Sequence, residues 1–171
     1  MSQEGPGQIV VREALASEHE EAGRITAEAY REFVGPTDHA WHEYLEAIAD
    51  VGGRADRTTI LVALDGERIV GSATLELVSR VEPDDDPELQ PEEAHIRMLG
   101  VQPGARRRGV ARALMEACFA HAGRAGKEFM TLHTTERMRD AQAMYESMGF
   151  ERLDDRVFPD GFVLLTYRRS L

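Results

Sequence analysis

The segment Val101-Gln102-Pro103-Gly104-Ala105-Arg106-Arg107-Arg108-Gly109-Val110-Ala111 does most to limit what this chain can become. An apolar run enters a bend carrying proline and glycine, and a helical pattern follows, so the stretch takes a strand through a turn into a helix. Gly109 and the small Ala111 let the main chain approach a bound group closely. The first amides of the following helix point outward without intrahelical acceptors, and the helix dipole adds to them, which makes an anion site. Arg106, Arg107 and Arg108 set three cations beside it, in a chain whose 20 Lys+Arg and 31 Asp+Glu leave a net charge of −11. A pyrophosphate accounts for that local reversal of sign; plain solvation of a helix start is the alternative. No Gly-Lys-Ser/Thr follows, as a Walker loop requires, and Gly-x-Gly-x-x-Gly is absent.

The rest of the pattern alternates strands with helices. Residues 9–14 read as a β-branched first strand, and Ser17 followed by Glu20 offers a capping box for a first helix. Ala22, Ile25, Ala29 and Phe33 recur at three- and four-residue steps, the stripe a helix turns to a core, and Gly35-Pro36 ends it. A second helix is expected over 38–50. Residues 58–64 and 68–78 read as antiparallel strands joined at Asp65-Gly66. The acidic, proline-bearing stretch 82–88 repels itself and is expected as a solvated loop. A fourth strand over 93–101, a helix over 109–124, a fifth strand over 128–134 and a helix over 140–148 follow, the last closed by Gly149. Two closing strands, 150–153 and 162–169, flank a loop holding Pro159-Asp160-Gly161. This order predicts an α/β fold with a mixed, mainly antiparallel sheet flanked by helices, formed by the 171 residues as a single domain.

Arg106-Arg107-Arg108-Gly109-Val110-Ala111 meets the Gln/Arg-x-x-Gly-x-Gly/Ala signature of the GCN5-related N-acetyltransferase (GNAT) family, which the chain resembles. Upstream, His95 to Pro103 looks like that family's fourth strand and its exit. Downstream, Ala141-Gln142-Ala143-Met144-Tyr145-Glu146-Ser147-Met148-Gly149-Phe150 looks like its final helix and next strand. The resemblance spans nearly the whole chain and is clearest over 94–153. It implies the acyl-CoA N-acyltransferase fold and acetyl-CoA as co-substrate, without a metal, lying between the fourth and fifth strands. Leu99, Gly100 and Val101 would meet the pantetheine arm through their main chain, with the Leu99 N–H as oxyanion donor. Arg106 to Ala111, including Arg107, Arg108, Gly109 and Val110, would surround the pyrophosphate.

Transfer of acetyl to an amine requires a neutral nitrogen, an oxyanion donor and a proton for the departing thiolate. Tyr145, with a reference pKa of about 10, is protonated at neutral pH and holds the family's tyrosine position as general acid; packing on an amphipathic helix is its alternative role. Many relatives carry a glutamate near the start of the fourth strand, where this chain has His95. His95 is the candidate base or else a hydrogen-bonded strand histidine, and Glu93 is a reserve base. Period-two alternation sets Glu93, His95, Arg97, Leu99 and Val101 on one face unless a bulge intervenes. Relatives often place an asparagine where this chain has Met138. Phe33, Trp41 and His133 are expected near the acceptor. Tyr30 and Tyr44 would extend an aromatic wall, and Asp38, Asp154, Asp155 and Asp160 would hold a cation beside it. Trp41 and Tyr44 packing the second helix onto the sheet is the other reading.

The acidic balance argues against nucleic acid and anionic lipid as partners. The single Cys118 and the polar start without a signal pattern suggest a reducing, cytoplasmic home, and no apolar run approaches the roughly 20 residues of a membrane span. The leading expectation is an N-acetyltransferase moving acetyl to a primary amine, on a small molecule or a peptide, by direct attack on the thioester. A noncatalytic acyl-CoA-binding or sensor module is the rival. An interaction domain docking a basic partner on its acidic segment is a third reading, and the frequent dimers of relatives leave a homodimer open.

Overall fold

The computed structural model describes residues 7–81 and 88–171. In chain order they form β1 (Ile9–Glu13), α1 (His19–Arg31), α2 (His39–Ala49), β2 (Thr59–Asp65), β3 (Arg68–Glu76) and β4 (Glu93–Val101). Then come α3 (Val110–Arg124), β5 (Phe129–Thr135), α4 (Arg139–Ser147), β6 (Glu151–Arg152), β7 (Arg156–Val157) and β8 (Val163–Ser170). The strands build one sheet in the order β1-β2-β3-β4-β5-β8-β6, with β7 also on β8. Among the described residues only β4 and β5 pair in parallel; the other pairs are antiparallel. The expected α/β class with a mainly antiparallel sheet is therefore present.

Both faces of the central strands are apolar because helices cover both. On one face Leu61 and Ala63 of β2 join Leu114, Met115 and Cys118 of α3 and Tyr145 of α4. On the other, Ile60, Val62 and Leu64 meet Ala22 and Ile25 of α1. Ala27 of α1, Ile48 of α2 and Met98 of β4 form a smaller cluster on that side. Gly23 is what lets α1 touch the end of α2, since a Cβ there would stand 2.0 Å from the Ala49 carbonyl oxygen. Arg54 closes the same helix end. Its guanidinium donates to the carbonyls of Ala47, Ile48 and Asp50 at 2.8, 3.1 and 3.0 Å, and to the Thr74 hydroxyl at 3.0 Å, answering carbonyls that a helix C-terminus leaves unpaired.

Three local expectations differ from the structure. The box at the first helix is not made by Ser17 and Glu20. A 3-10 turn over Ala16–Glu18 precedes α1, and Glu18, paired with Arg12 at 2.8 Å, accepts the Leu15 N–H at 2.8 Å. The β2–β3 hairpin turns on Gly66 and Glu67, because Asp65 still pairs with Arg68; Gly66 takes the positive φ of 63° that the turn demands. The loop before β8 contains β7, a two-residue strand too short to leave a periodic signal. The acidic loop expected over 82–88 falls, but for residue 88, outside the described residues.

β4 departs from simple alternation. Its register with β3 runs Gly71–Val101 and Ser72–Gly100, then resumes at Thr74–Arg97, so Met98 and Leu99 together oppose Ala73. Met98 has a φ of 52°. This is a β-bulge, and it reverses which face later residues address. Ala94 and Ile96 face α3 before the bulge, whereas Leu99 and Val101 do so after it. Met98 packs with α1 and α2, and Gly100 lies against Thr26 and Ala29 of α1. Glu93 and His95 thus do not share a face with Leu99 and Val101, as unbroken alternation would require.

Candidate active site

The parallel pairing of β4 with β5 ends at Ile96–Leu132. Beyond it β5 continues against β8 to Thr135, while β4 bulges and continues to Val101 against β3. A cleft of about 270 Å³ opens where the two strands separate. One wall is Leu99, Gly100 and Val101, and the other is His133 and Thr134 of β5 with Met138, Ala141 and Tyr145 at and on α4. Ala29, Tyr30, Glu32 and Phe33 bring the end of α1 to it.

From β4 the chain passes through a second 3-10 turn, Pro103–Ala105, to α3. Arg107 (φ 61°) and Gly109 (φ 78°) both take left-handed backbone there, and Gly109 is the N-cap of α3 without a side-chain cap. A bare helix start of this kind leaves its first N–H groups for an external acceptor. The three arginines diverge. Arg106 lines the cleft, is ion-paired with Glu32, and donates to the Ala29 carbonyl at 3.4 Å. Arg107 is exposed. Arg108 pairs with Asp65 of the β2–β3 hairpin at 2.8 Å. Val110 is buried beneath the turn and Ala111 half-buried, so Val110 offers the turn its main chain and not its side chain.

Tyr145 is buried between Phe150 and Tyr167, each ring 5.9 Å away, and its remaining surface meets the cleft. Burial pushes its phenol well above the ordinary value, so Oη carries its proton throughout the neutral range.

His95 lies beneath the cleft wall and not on it, 2 % exposed. Its ring stands 4.9 Å from that of His133, which does line the cleft. Its Nδ1 is 2.7 Å from the Thr131 hydroxyl, and that hydroxyl donates to Glu93 Oε1 at 2.6 Å. Glu93 also receives Arg80 at 3.1 Å and the Gln90 N–H at 3.1 Å. Burial first, then the neighbouring His133, Arg80 and Arg97, hold the His95 imidazole well below its usual range. Glu93 therefore sits behind the two histidines, among Thr131, Arg80 and Gln90.

Phe33 lines the cleft, whereas Trp41 is not among its lining residues. Trp41 packs edge-on against Tyr44 and against Phe162 of the loop before β8, at 5.6 and 6.2 Å, and Tyr44 against Tyr30 at 6.5 Å. These rings link α1, α2 and that loop. Three of the four aspartates expected to hold a cation have structural partners: Asp38 accepts the Gly35 N–H and pairs with Arg137, Asp155 pairs with Arg152, and Asp160 accepts the Phe162 N–H. Thr131 and Arg137 carried no signal in the sequence, because their partners are 36 or more and 99 or more residues away. Among the described residues no cluster of His, Cys, Asp and Glu is arranged to hold a metal ion, and no helix is long and apolar enough to cross a membrane.

Residues 20–150 match the Acetyltransferase (GNAT) family. A mycothiol acetyltransferase of Geodermatophilus obscurus is 33 % identical over 99 residues, which is 57 % of this chain and 30 % of that protein. The chain thus spans less than a third of this relative's length. A GCN5-related N-acetyltransferase structure from Rhodopseudomonas palustris is similar with a TM-score of 0.73 at 18 % identity, covering 99 % of this chain and 100 % of that one. A protein from Salmonella typhimurium described as an acetyltransferase, solved with its cofactor acetyl-CoA, gives 0.69 at 16 % identity, over 95 % and 94 %. The matched family, the splayed parallel strands and the glycine turn at the head of α3 agree: this chain belongs to the GNAT acetyltransferases.

Proposed function

We propose that this protein is an acetyl-CoA-dependent N-acetyltransferase acting on a primary amine of a small molecule or peptide. The observation that supports this most is the separation of β4 from β5 beyond Ile96–Leu132, with Tyr145 at the wall of the resulting cleft. Its residues fit an extended acyl-CoA. The main chain of Leu99, Gly100 and Val101 provides a strand edge turned away from β3. The bare start of α3, with Arg106, Arg107 and Arg108 around Gly109, suits the diphosphate. When bound, acetyl-CoA supplies an acetyl group activated as a thioester.

The chain's own residues divide the remaining work. The Leu99 N–H is the oxyanion donor. Tyr145 holds a proton at Oη for the departing sulfur. The His95 and His133 pair receives the proton of the incoming ammonium, with His133 at the cleft wall and His95 behind it. Attack by the neutral amine is direct, and Cys118 takes no part: it is fully buried, and burial pushes its thiol up to about 12. That buried thiol suits a reducing, cytoplasmic compartment. Phe33 flanks the acceptor, while Trp41, Tyr44 and Phe162 shape the outer approach.

Release of free thiol from acetyl-CoA across a panel of amines and peptides tests the reading. Turnover with at least one acceptor, lost in Tyr145→Phe while acetyl-CoA binding persists, is expected. Binding without turnover on any acceptor would favour an acyl-CoA-binding module, the role to which Met138 at the asparagine position of relatives lends some weight.

A further inference from the structure

Deepening the proposed function and resting on it, we infer that Thr131 is a positioning residue that selects the tautomer of His95, leaving the lone pair of the buried imidazole on Nε2. The argument is a count of hydrogens. A threonine hydroxyl has one to donate. Two acceptors surround it: Glu93 Oε1 at 2.6 Å and the Ala94 carbonyl at 3.5 Å. The Glu93 carboxylate is ion-paired with Arg80 and receives the Gln90 N–H, so it has no hydrogen to give. The Thr131 hydrogen therefore points to Glu93. The contact of 2.7 Å between Thr131 and His95 then requires the hydrogen to lie on Nδ1. A neutral imidazole with Nδ1–H keeps its lone pair on Nε2, the nitrogen directed away from Thr131.

The groups facing His95 agree with a neutral ring. His133 and Thr131 approach from β5, Arg97 lies on its own strand, Arg80 reaches it from the segment after β3, and Glu76 is its register partner on β3. Burial first, then His133, Arg80 and Arg97, oppose an imidazolium at this position. His133 joins the buried pair to the cleft, and its own Nδ1 lies 3.2 Å from the Thr166 hydroxyl. Glu93 thus acts through Thr131, and does not itself receive the substrate proton.

The test is ¹⁵N-detected histidine NMR on the full chain labelled in its imidazoles, without ligand, together with pH–rate profiles. Wild type is expected to show His95, assigned by its loss in His95→Gln, as the neutral Nδ1–H form. In Thr131→Val the Nε2–H form should become the major one, kcat should fall about tenfold with KM for acetyl-CoA unchanged, and the acidic limb of the profile should move. Thr131→Ser, which restores the hydroxyl, should recover the wild-type tautomer and profile. An Nε2–H form in wild type, or Thr131→Val with unaltered tautomer and profile, overturns the inference. Should Thr131→Val fail to fold, the wild-type and Thr131→Ser spectra decide it. The spectra do not depend on turnover, so an inactive wild type would count against the proposed function alone.

Discussion

Arg137 donates to the main-chain oxygen of Phe33 at 3.0 Å, tying the segment after β5 to the segment after α1, both at the cleft. Arg106 does the same from the β4–α3 connection, through Glu32 and the Ala29 carbonyl. The end of α1 is thus held by two arginines that come from opposite walls.

Removing one of these ties should affect the acceptor more than the fold. Arg137→Ala is expected to raise KM for the amine about fivefold, equivalent to about 1 kcal/mol, with kcat within about twofold. Its stability should change by less than about 1 kcal/mol because the side chain is largely exposed. Steady-state kinetics with the amine varied, beside urea unfolding, measures both.

Tyr145→Phe removes one hydroxyl and keeps the ring between Phe150 and Tyr167. A kcat loss of about 10²-fold with unchanged acetyl-CoA binding is expected, read from initial rates and a thermal-shift titration. Since burial raises the phenol of Tyr145, the wild-type rate should show no alkaline decline from this group below pH of about 10.

Two glycines should fail for different reasons. At Gly23 an added Cβ meets the Ala49 carbonyl oxygen at 2.0 Å. Gly23→Ala must push α1 from α2 and is expected to cost about 3 kcal/mol or more. Gly109 has open space around it but a φ of 78°. Gly109→Ala should cost about 1 kcal/mol through backbone strain and weaken acetyl-CoA binding as the turn shifts. Chemical denaturation separates the two magnitudes, and calorimetry with acetyl-CoA reads the second effect.

His95 predicts a pH dependence of stability. Its folded pKa lies well below the unfolded value of 6.5, so between the two the unfolded chain binds the extra proton. Stability should therefore rise with pH towards 6.5 and level off above it, with a slope of up to about 1.4 kcal/mol per pH unit from this residue. His95→Gln should flatten the profile below pH 6.5. Glu18, held at about 2 by Arg12, acts in a separate window, its contribution present above 4.5 and lost as the pH falls towards 2. Urea midpoints at half-unit pH steps give the comparison.

Apart from β7, the elements and the turn at Gly109 were legible in the sequence because each has a local cause. The β-rich apolar run over 58–64, the helical stripe through Ala22 and Ile25, and the left-handed demand of Gly149 depend only on near neighbours in the chain. Tyr145, which lines the cleft, was singled out through the family's pattern that joins it to Gly149 and Phe150. What the tertiary structure decided is the rest of the site. The bulge at Met98 follows from how β4 fits β3, and it separates the face of His95 from that of Leu99. The cleft exists because β4 and β5 stop pairing at Ile96–Leu132. The path from Glu93 through Thr131 to His95 joins strands far apart in sequence, in a register that no periodicity in either strand encodes. Sterics and periodicity act over a few residues, whereas strand register is settled by the whole packed sheet.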